Sequence, residues 1–339
     1  MATPLRLGIL GAARIAPQAL VRPAREVAGA ELRAVAARDG ERARAFAAKH
    51  RIPVVHASYE ALLDDPEIDA VYNPLPNGLH GVWTMRALRK GKHVLCEKPF
   101  TANAEEARAV AGVAQETGRF VMEAFHWRYH PLVARMLEIL ASGELGELRH
   151  VEAHLCAPIL NTRDIRYRHD LAGGAAMDMG CYVLHFVRTF GGAEGAHEVR
   201  TEPRVVSAQP TLLAPGVDRA MDIRLAFPGG ATGRALCSML SWRVLDASGR
   251  VEGTRGRMRI LNPWAPHLFH RLRVETEAGA RSERVAGPAT YTCQLEAFVR
   301  AVREGAPVPT DTSDAIANMT LIDAAYRSAG LEPRAPSLG

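Results

Sequence analysis

A short apolar segment near the start of the chain runs directly into a turn of small residues. Leu5 to Leu10 reads as a buried strand, and Gly11-Ala12-Ala13-Arg14-Ile15-Ala16 follows it. This hexapeptide matches the pattern G-x-G-x-x-G/A, with Ala13 at the second glycine position. In that pattern the first glycine makes a tight turn, and the last small residue lets a helix pack on the sheet. The segment therefore predicts a strand–turn–helix unit, although alone it also fits an ordinary alanine-rich turn.

A unit of this kind binds the phosphates of a dinucleotide, because the N–H groups at the start of its helix are free. Pro17 fits the first turn of such a helix. The predicted cofactor contacts in this segment are Gly11, Ala13, Arg14 and Ile15.

The second predicted strand, Glu31 to Ala37, ends where a dinucleotide fold contacts the adenosine ribose. An acidic residue there binds the 2′-hydroxyl of NAD, but this chain has Ala37 followed by Arg38 and Asp39. A neutral alanine leaves room for a 2′-phosphate, which a guanidinium can bind through two N–H groups. The sequence thus predicts NADP(H) in preference to NAD(H), with Arg38 on the phosphate. The alternative is that Arg38 lies in solvent and Asp39 caps the next helix.

Short apolar strands alternate with helix-like stretches through the first 123 residues. This alternation is typical of a doubly wound parallel sheet of the Rossmann type, whose ligands bind at the carboxyl ends of the strands. The Pro-rich loop Asn73 to His80 follows the fourth strand, so Leu75, Asn77 and His80 are predicted cofactor contacts. The alternative for Asn77 is a plain helix cap. The further strands are predicted at Val54-Val55, Ile68 to Tyr72, Val94 to Cys96 and Phe120 to Glu123.

The tripeptide Glu97-Lys98-Pro99 directly follows the buried strand Val94 to Cys96. Proline cannot donate to a sheet ladder, so the strand ends there. Lys98 is thereby predicted at the carboxyl edge of the sheet, facing a nicotinamide ring, with Glu97 among the cofactor contacts.

An aromatic and basic loop, Ala124 to Pro131, marks the predicted boundary between a dinucleotide-binding domain, residues 1–123, and a second domain, residues 124–339. Trp127 and Arg128 in this loop are predicted substrate contacts. His126 and His130 have the spacing of a metal pair, but no glutamate follows His126 and a proline ends the turn. We therefore expect no metal site.

Beyond Pro131 the strands become longer, and polar residues alternate with apolar ones. They predict an α+β domain with a large, open, mostly antiparallel sheet, which two helices, Thr292 to Glu304 and Ser313 to Ala329, follow. An open sheet needs a cover, so a second copy of the chain is expected to dock there and to give a homodimer or homotetramer. The predicted strands are Leu148 to Leu155, Ala220 to Phe227, Thr232 to Ser241, Gly249 to Gly253, Met258 to Leu261 and Leu272 to Thr276.

A second cluster of polar residues lies between Gly173 and His185. After the turn Gly173-Gly174, Asp178 is expected to open a helix as its cap, and Tyr182 and His185 can share a face with it. A phenol has a pKa near 10, which an adjacent ammonium lowers, so a pairing of Tyr182 with Lys98 would give a usable acid or base. The alternative makes Asp178 a plain cap and the two rings core residues.

The chain resembles the Gfo/Idh/MocA family of oxidoreductases over nearly its whole length. The motif E-K-P at Glu97 to Pro99 and the motif G-G-x-x-x-D-x-G-x-Y at Gly173 to Tyr182 carry the resemblance. Tyr182, where many relatives have histidine, and the strand end Ala36 to Asp39 are similar to the branch of dihydrodiol, xylose and glucose–fructose enzymes, whose members prefer NADP. The resemblance implies that Lys98, Asp178 and Tyr182 form the catalytic group. The chain departs from the family pattern at Ala13 and in the variable segment Trp127 to Tyr129.

These residues together predict a dehydrogenase or reductase that transfers a hydride between NADP(H) and a CH–OH or C=O group of a sugar or cyclic diol. Tyr182 would be the acid or base, Lys98 would assist it, and Asp178 would hold the substrate hydroxyl. Arg166 and His185 are further predicted substrate contacts. Two alternatives share the fold: a non-catalytic regulator that binds NAD(P), and a glycosidase that oxidises its substrate transiently and recycles its NAD.

Composition limits the remaining classes of protein. The 339 residues carry a net charge of +5 with scattered basic residues, so no nucleic-acid partner is expected. Five widely spaced cysteines predict reduced thiols. A strand that can begin at Leu5 leaves no room for a signal peptide, and no apolar run is long enough for a membrane span. We therefore expect a soluble, cytoplasmic protein.

Overall fold

The structure, a computed structural model, describes residues 3–193, 201–240 and 245–337, and it divides into two compact units. The first unit contains residues up to 129 together with residues 291–316 and 336–337. The second unit contains the described residues of 130–290 and of 317–335. The first unit thus extends six residues beyond the predicted boundary at residue 123 and recruits a later segment of the chain. The domain limits themselves stay a prediction.

The first unit contains the predicted doubly wound parallel sheet. Its six strands lie in the order β3-β2-β1-β4-β5-β6, and every neighbouring pair is parallel. The order reverses between β1 and β4, which is where ligands of open α/β sheets bind. The strands are β1 (Leu5–Leu10), β2 (Ala30–Ala36), β3 (Val54–His56), β4 (Ala70–Asn73), β5 (His93–Cys96) and β6 (Val121–Glu123).

Helices connect these strands, and polar caps fix where several of them begin. Asp39, Ser58 and Asn103 each accept hydrogen bonds from N–H groups in the first turn of the helix that follows. The connection after β1 is irregular, with a π-helical turn at Pro17–Val21 before the first α-helix. The α-helices are α1 (Pro23–Glu26), α2 (Gly40–His50), α3 (Tyr59–Asp64), α4 (His80–Arg89) and α5 (Ala104–Thr117).

The second unit contains an eight-stranded, mostly antiparallel sheet in the order β14-β13-β12-β11-β7-β10-β9-β8. Among the strands in the described part of this unit, β7 and β10 form the only parallel pair. The two edge strands, β8 and β14, were not predicted, because Pro210 interrupts β8 and β14 is short and polar. The strands are β7 (Leu148–Cys156), β8 (Arg204–Ala214), β9 (Val217–Ala226), β10 (Thr232–Ser238), β11 (Asp246–Gly253), β12 (Gly256–Leu261), β13 (Arg271–Thr276) and β14 (Gly279–Glu283).

The predicted strand Thr232 to Ser241 ends at Ser238, and Ser241 lies outside the described residues. The helix α6 (Pro131–Ala141) precedes β7, and α7 (Cys181–Gly191) packs on β7 and β10. Two glycines of the sheet allow this close packing. A side chain at Gly233 would meet Val187, and one at Gly249 would meet Phe186.

The last two helices are α8 (Thr290–Glu304) and α9 (Thr312–Ser328), close to the predicted bounds. Tyr291, Leu295 and Phe298 on α8 are buried in the apolar core of the first unit, which explains why residues 291–316 join that unit. None of the helices in the described ranges is long and apolar enough to cross a membrane.

Candidate functional site

The turn after β1 has the tight geometry that the sequence predicts for Gly11. Its φ angle is +98°, a region that glycine enters at little cost. The Gly11 N–H donates to the Ala36 carbonyl at 2.7 Å, and a Cβ atom here would lie 3.1 Å from the Leu75 side chain. Ala16 is fully buried against the sheet, whereas Ala13 is half-buried and Arg14 is exposed. The turn thus leaves a backbone cradle that a larger residue would fill, which fits a dinucleotide phosphate.

The end of β2 separates the roles of its two charged residues. Asp39 Oδ1 accepts from the N–H groups of Glu41 at 2.9 Å and Arg42 at 3.2 Å, so this carboxylate caps α2. The side chain of Arg38 is exposed and makes no hydrogen bond or ion pair within the described ranges. Arg42 instead donates to the Ala12 carbonyl at 2.7 Å. The Arg38 guanidinium is therefore available to a ligand, whereas a preference for NADP(H) over NAD(H) stays a prediction.

His80 links the loop after β4 to the loop after β5. Its Nδ1 lies 2.7 Å from the Pro99 carbonyl, and its Nε2 lies 2.6 Å from the Leu75 carbonyl. Burial, aided by the charge of Lys98, lowers the pKa of His80 to about 4, so the ring is neutral and donates to one of the two carbonyls. The nearby Asn77 is half-buried. A direct contact of His80 or Asn77 with the cofactor stays a prediction.

Two buried carboxylates hold the loop that carries Lys98. Glu97 Oε1 accepts from the Tyr72 hydroxyl at 2.7 Å, and Glu97 Oε2 accepts from the Lys98 N–H at 3.2 Å. Glu123 Oε1 accepts from the Phe100 N–H at 2.9 Å. Glu97 therefore supports the backbone under Lys98, while a contact of Glu97 with the cofactor stays a prediction.

The contacts above join four of the predicted residues of the first unit at one edge of its sheet. Gly11 faces the side chain of Leu75, the Leu75 carbonyl faces His80, and His80 faces the loop of Lys98. Lys98 itself is half-buried. This edge is the carboxyl end of β1, β4 and β5, as the sequence predicts.

The aromatic loop after β6 is largely buried, although the sequence predicts substrate contacts for it. Trp127 is fully buried, Arg128 is half-buried, and the ring of His126 lies 3.9 Å from that of Tyr291. His130 Nδ1 accepts from the Leu132 N–H at 3.1 Å, so His130 caps α6. Within the described parts of the chain, no group of three or more His, Cys, Asp or Glu side chains could hold a metal ion. Contact of Trp127 or Arg128 with a substrate stays a prediction.

In the second unit, Asp178 does not cap a helix, contrary to the prediction. It lies inside a π-helical turn, Ala176–Gly180, that leads directly into α7. The Asp178 N–H donates to the Gly174 carbonyl at 3.0 Å. The prediction was wrong because the helical path begins before Asp178, and a wide turn of this kind has no sequence signature as clear as a cap.

The side chain of Asp178 meets that of Arg166, one of the predicted substrate contacts. Arg166 Nε lies 3.1 Å from Asp178 Oδ2, and Arg166 Nη1 donates to Asp164 Oδ1 at 3.2 Å. The Arg166 side chain keeps 45% of its surface exposed, against 14% for Asp178. The largely buried carboxylate of Asp178 is thus paired with a guanidinium that solvent still reaches.

Tyr182 and His185 lie on α7 directly after this turn. Tyr182 is 8% exposed, and its ring meets the edge of Trp264 at 5.6 Å between centroids. His185 is almost fully buried. Trp264 was not predicted, because it follows β12 and nothing in the sequence connects it to a tyrosine 82 positions earlier.

Comparisons with known proteins agree with these features. The model of the Gfo/Idh/MocA oxidoreductase family, an NAD-binding Rossmann fold, matches residues 5–125, and that of the family's C-terminal domain matches residues 133–259. D-xylose 1-dehydrogenase (NADP(+)) 2 of Haloferax volcanii is 38% identical over 334 residues, which cover 96% of this chain and 97% of that protein. Trans-1,2-dihydrobenzene-1,2-diol dehydrogenase of Sus scrofa is 37% identical over 235 residues, covering 69% of this chain and 67% of its own length.

Among solved structures, KijD10, a 3-ketoreductase from Actinomadura kijaniata in complex with NADP and TDP-benzene, has a TM-score of 0.88 and 29% identity. The match covers 96% of this chain and 98% of that one. The fold and the two sequence motifs are therefore both explained by family membership. The chain belongs to the Gfo/Idh/MocA family of oxidoreductases and is an NAD(P)-dependent dehydrogenase or reductase that acts on CH–OH groups.

Proposed function

We propose that the protein oxidises a CH–OH group of a small sugar or cyclic diol, or reduces the matching carbonyl, with NADP(H) as its cofactor. The pairing of the Asp178 carboxylate with Arg166, one turn before the Tyr182 phenol, is the observation that carries the proposal. Asp178 would bind a substrate hydroxyl, and the phenol of Tyr182, one turn later, could exchange a proton with the substrate. The names of the xylose and dihydrodiol dehydrogenases support the two substrate classes.

Several features of the first unit support NADP(H). When bound, the nicotinamide would accept or supply the hydride. The Gly11 turn would take the pyrophosphate, with Ala13, Arg14 and Ile15 beside it. The exposed Arg38 would bind the 2′-phosphate, because it has no acidic partner in the described residues. The similar xylose dehydrogenase is an NADP(+) enzyme, and KijD10 was solved in complex with NADP.

Tyr182 is proposed as the proton donor or acceptor for the substrate oxygen. A positioned acid or base contributes about 10²- to 10⁴-fold to such a reaction. Lys98 is proposed to act on the same oxygen, because an ammonium favours the ionised form of a phenol. Two buried carboxylates hold the loop of Lys98, which limits the freedom of its backbone.

Asp178 is proposed to accept a hydrogen bond from a hydroxyl of the substrate. Its present partner, Arg166, is long and partly exposed, so it can stay paired or shift to another hydroxyl of a polyol. A sugar or diol offers several such hydroxyls, which suits a carboxylate and a guanidinium placed side by side. His185, Trp127 and Arg128 complete the proposed substrate contacts.

We also propose that two or four copies of the chain assemble through the sheet of the second unit. Long charged side chains lie side by side across this sheet, where Arg234, Glu152 and Arg250 occupy opposed positions on β10, β7 and β11. Glu152 pairs with both arginines at 3.0 and 2.9 Å. Light scattering on the purified protein tests this proposal, and a monomeric mass at micromolar concentration would contradict it.

The activity is tested with a panel of aldoses, inositols, keto-sugars and diols, each with NADP(H) and NAD(H), by following the absorbance of reduced nicotinamide. We expect net turnover with at least one sugar or diol. Tyr182→Phe should lower kcat by about 10²-fold or more, the contribution of a positioned acid or base, while NADPH still binds. Normal turnover of Tyr182→Phe would contradict the role of Tyr182. Tight cofactor binding without any net change in absorbance would favour the regulator or the NAD-recycling glycosidase.

A further inference from the structure

A buried charged cluster in the second unit lies beside the turn that carries Asp178. Asp218, near the start of β9, is fully buried, and Arg334 is only 1% exposed. Asp218 Oδ1 accepts from Arg334 Nη2 and from the Tyr326 hydroxyl, each at 2.9 Å. The Arg334 guanidinium also lies over the Tyr326 ring, 4.2 Å from its centroid. Asp218 precedes Tyr326 by 108 positions and Arg334 by 116 positions in the sequence.

The cluster holds the segment just before the π-helical turn. Asp218 Oδ2 accepts from the Ala176 N–H at 2.7 Å, and Arg334 Nε donates to the Gly173 carbonyl at 2.8 Å. Gly174 has a φ angle of +136°, and a Cβ there would lie 2.2 Å from Asp218 Oδ1. The backbone therefore runs directly against the carboxylate, and only glycine fits between them.

The same segment connects the cluster to both partners of the proposed substrate site. The Gly174 N–H donates to the Arg166 carbonyl at 2.8 Å, and the Gly174 carbonyl accepts from the Asp178 N–H at 3.0 Å. A shift of this glycine would thus move the backbones of Arg166 and Asp178 together.

A second buried side chain binds the backbone directly after the π-helical turn. Asn318 is fully buried, and its Nδ2 donates to the Cys181 carbonyl at 3.2 Å. Asp218 thus hydrogen-bonds to the backbone of Ala176 at the start of the turn, and Asn318 hydrogen-bonds to the backbone of Cys181 just after it. A π-helical turn is a rare conformation that is found mostly at functional sites, so side chains outside the helix are expected to maintain it.

Stability alone is a poor explanation for this cluster. Replacing a buried ion pair by apolar residues of similar size is often neutral or stabilising, because the charges lose their hydration. Apolar residues, however, could not accept from Ala176 or donate to Gly173. Burial beside Asp218 raises the pKa of the Tyr326 phenol, so Tyr326 stays protonated and donates to that carboxylate.

We propose that Asp218, held by Arg334 and Tyr326, is a positioning residue that fixes Asp178 and Tyr182 through the turn Gly173 to Gly180. The proposal rests on the proposed roles of Asp178 and Tyr182. Asp218 acts through backbone contacts, and it need not touch the substrate or the cofactor.

The test compares Asp218→Asn with a control variant near the end of α7, the helix that follows the π-helical turn. Arg188→Met removes another nearly buried guanidinium, whose Nε and Nη2 donate to Glu202 at 2.8 and 2.7 Å. Both variants should lower Tm. Asp218→Asn should lower kcat by about 10- to 100-fold, since a displacement of about 1 Å can cost 10²-fold. Its dissociation constant for NADPH, measured by fluorescence, should stay within about twofold, and so should kcat of Arg188→Met.

A double-mutant cycle separates positioning from general damage. If Asp218 acts through Tyr182, Asp218→Asn should lower kcat much less in the Tyr182→Phe background than in the wild type. Equal factors in the two backgrounds, or losses of kcat that follow Tm alike in Asp218→Asn and Arg188→Met, would overturn the proposal. Wild-type turnover of Tyr182→Phe would instead refute the proposed function.

A milder variant covers the case in which Asp218→Asn does not fold. Tyr326→Phe removes only the hydroxyl that donates to Asp218. We expect it to lower kcat about two- to tenfold with the NADPH dissociation constant unchanged, consistent with the loss of one hydrogen bond to a charged group. An unchanged kcat in a folded Tyr326→Phe protein would then count against the proposal.

Discussion

Arg166 Nε lies 3.1 Å from Asp178 Oδ2, so the carboxylate that is proposed to hold the substrate already has a cationic partner. Removing that partner should weaken substrate binding more than the chemical step. For Arg166→Met we expect KM to rise about tenfold, the effect of losing one hydrogen bond to a charged group, with a smaller change in kcat. Steady-state kinetics with the best substrate of the panel measures both.

A neighbouring arginine provides the matched control for Arg166. Arg168 is also exposed and also pairs with an aspartate, Asp170, within the same segment. Arg168→Met should leave KM and kcat within about twofold, as expected for an exposed ion pair. Equal effects of the two substitutions would show that the segment, and not the guanidinium of Arg166, determines KM.

Cofactor choice should depend on Arg38. Its side chain has no partner in the described parts of the chain, whereas Asp39 is committed to capping α2. Loss of a charge-assisted hydrogen bond costs about 1.5–3 kcal/mol, or roughly 10- to 100-fold in affinity. Arg38→Ala should therefore weaken NADP(H) by that factor and leave NAD(H) nearly unchanged, as measured by fluorescence titration.

Arg44→Ala is the control for Arg38, because Arg44 is exposed on α2 and the net charge changes equally. We expect its preference for NADP(H) over NAD(H) to stay within about twofold of the wild type. An unchanged preference in Arg38→Ala would assign the 2′-phosphate to another residue.

The sequence predicted the first sheet well because each of its strands is a short apolar run between helices, and the carboxyl edge follows from that topology. The parts that it missed depend on contacts between distant residues. The sequence predicts a cap at Asp178, but Asp178 lies inside a turn, Gly173 to Gly180, whose first residues are bound by Asp218 and Arg334, which are 116 positions apart. No local pattern marks such a pair. The edge strand β8 was missed because a proline and an exposed face hide its alternation.

The turn at Gly11 should tolerate no side chain. A φ angle of +98° costs a residue with a Cβ about 1–2 kcal/mol, and the new atom would crowd Leu75. Gly11→Ala should therefore lower the free energy of unfolding by about that amount or more and weaken NADP(H) binding. Urea unfolding and fluorescence titration measure the two effects.

Gly229→Ala is the control for Gly11, since a Cβ there would meet nothing within 4 Å. We expect this change to alter the free energy of unfolding by less than about 0.5 kcal/mol. If Gly11→Ala bound NADP(H) as well as Gly229→Ala does, the turn after β1 would not be a phosphate cradle.

Stability should fall with rising pH because of Glu106. Its Oε2 accepts from the Ala102 N–H at 2.8 Å, while Oε1 is buried without a partner among the described residues, and burial raises its pKa to about 7. The folded protein therefore keeps a proton that the unfolded chain loses above about pH 4.5, so stability is fully present below that value and is lost as pH rises to about 7. A shift of this size corresponds to about 3 kcal/mol.

Glu106→Gln, a neutral isostere, should match the wild type near pH 4 and exceed its free energy of unfolding at pH 8 by up to that amount. Urea unfolding across this pH range measures the difference, and Glu105→Gln, a variant of the exposed neighbouring residue, is the control. If the free energies of unfolding of the wild type and of Glu106→Gln changed in parallel with pH, Glu106 would already be ionised in the folded protein.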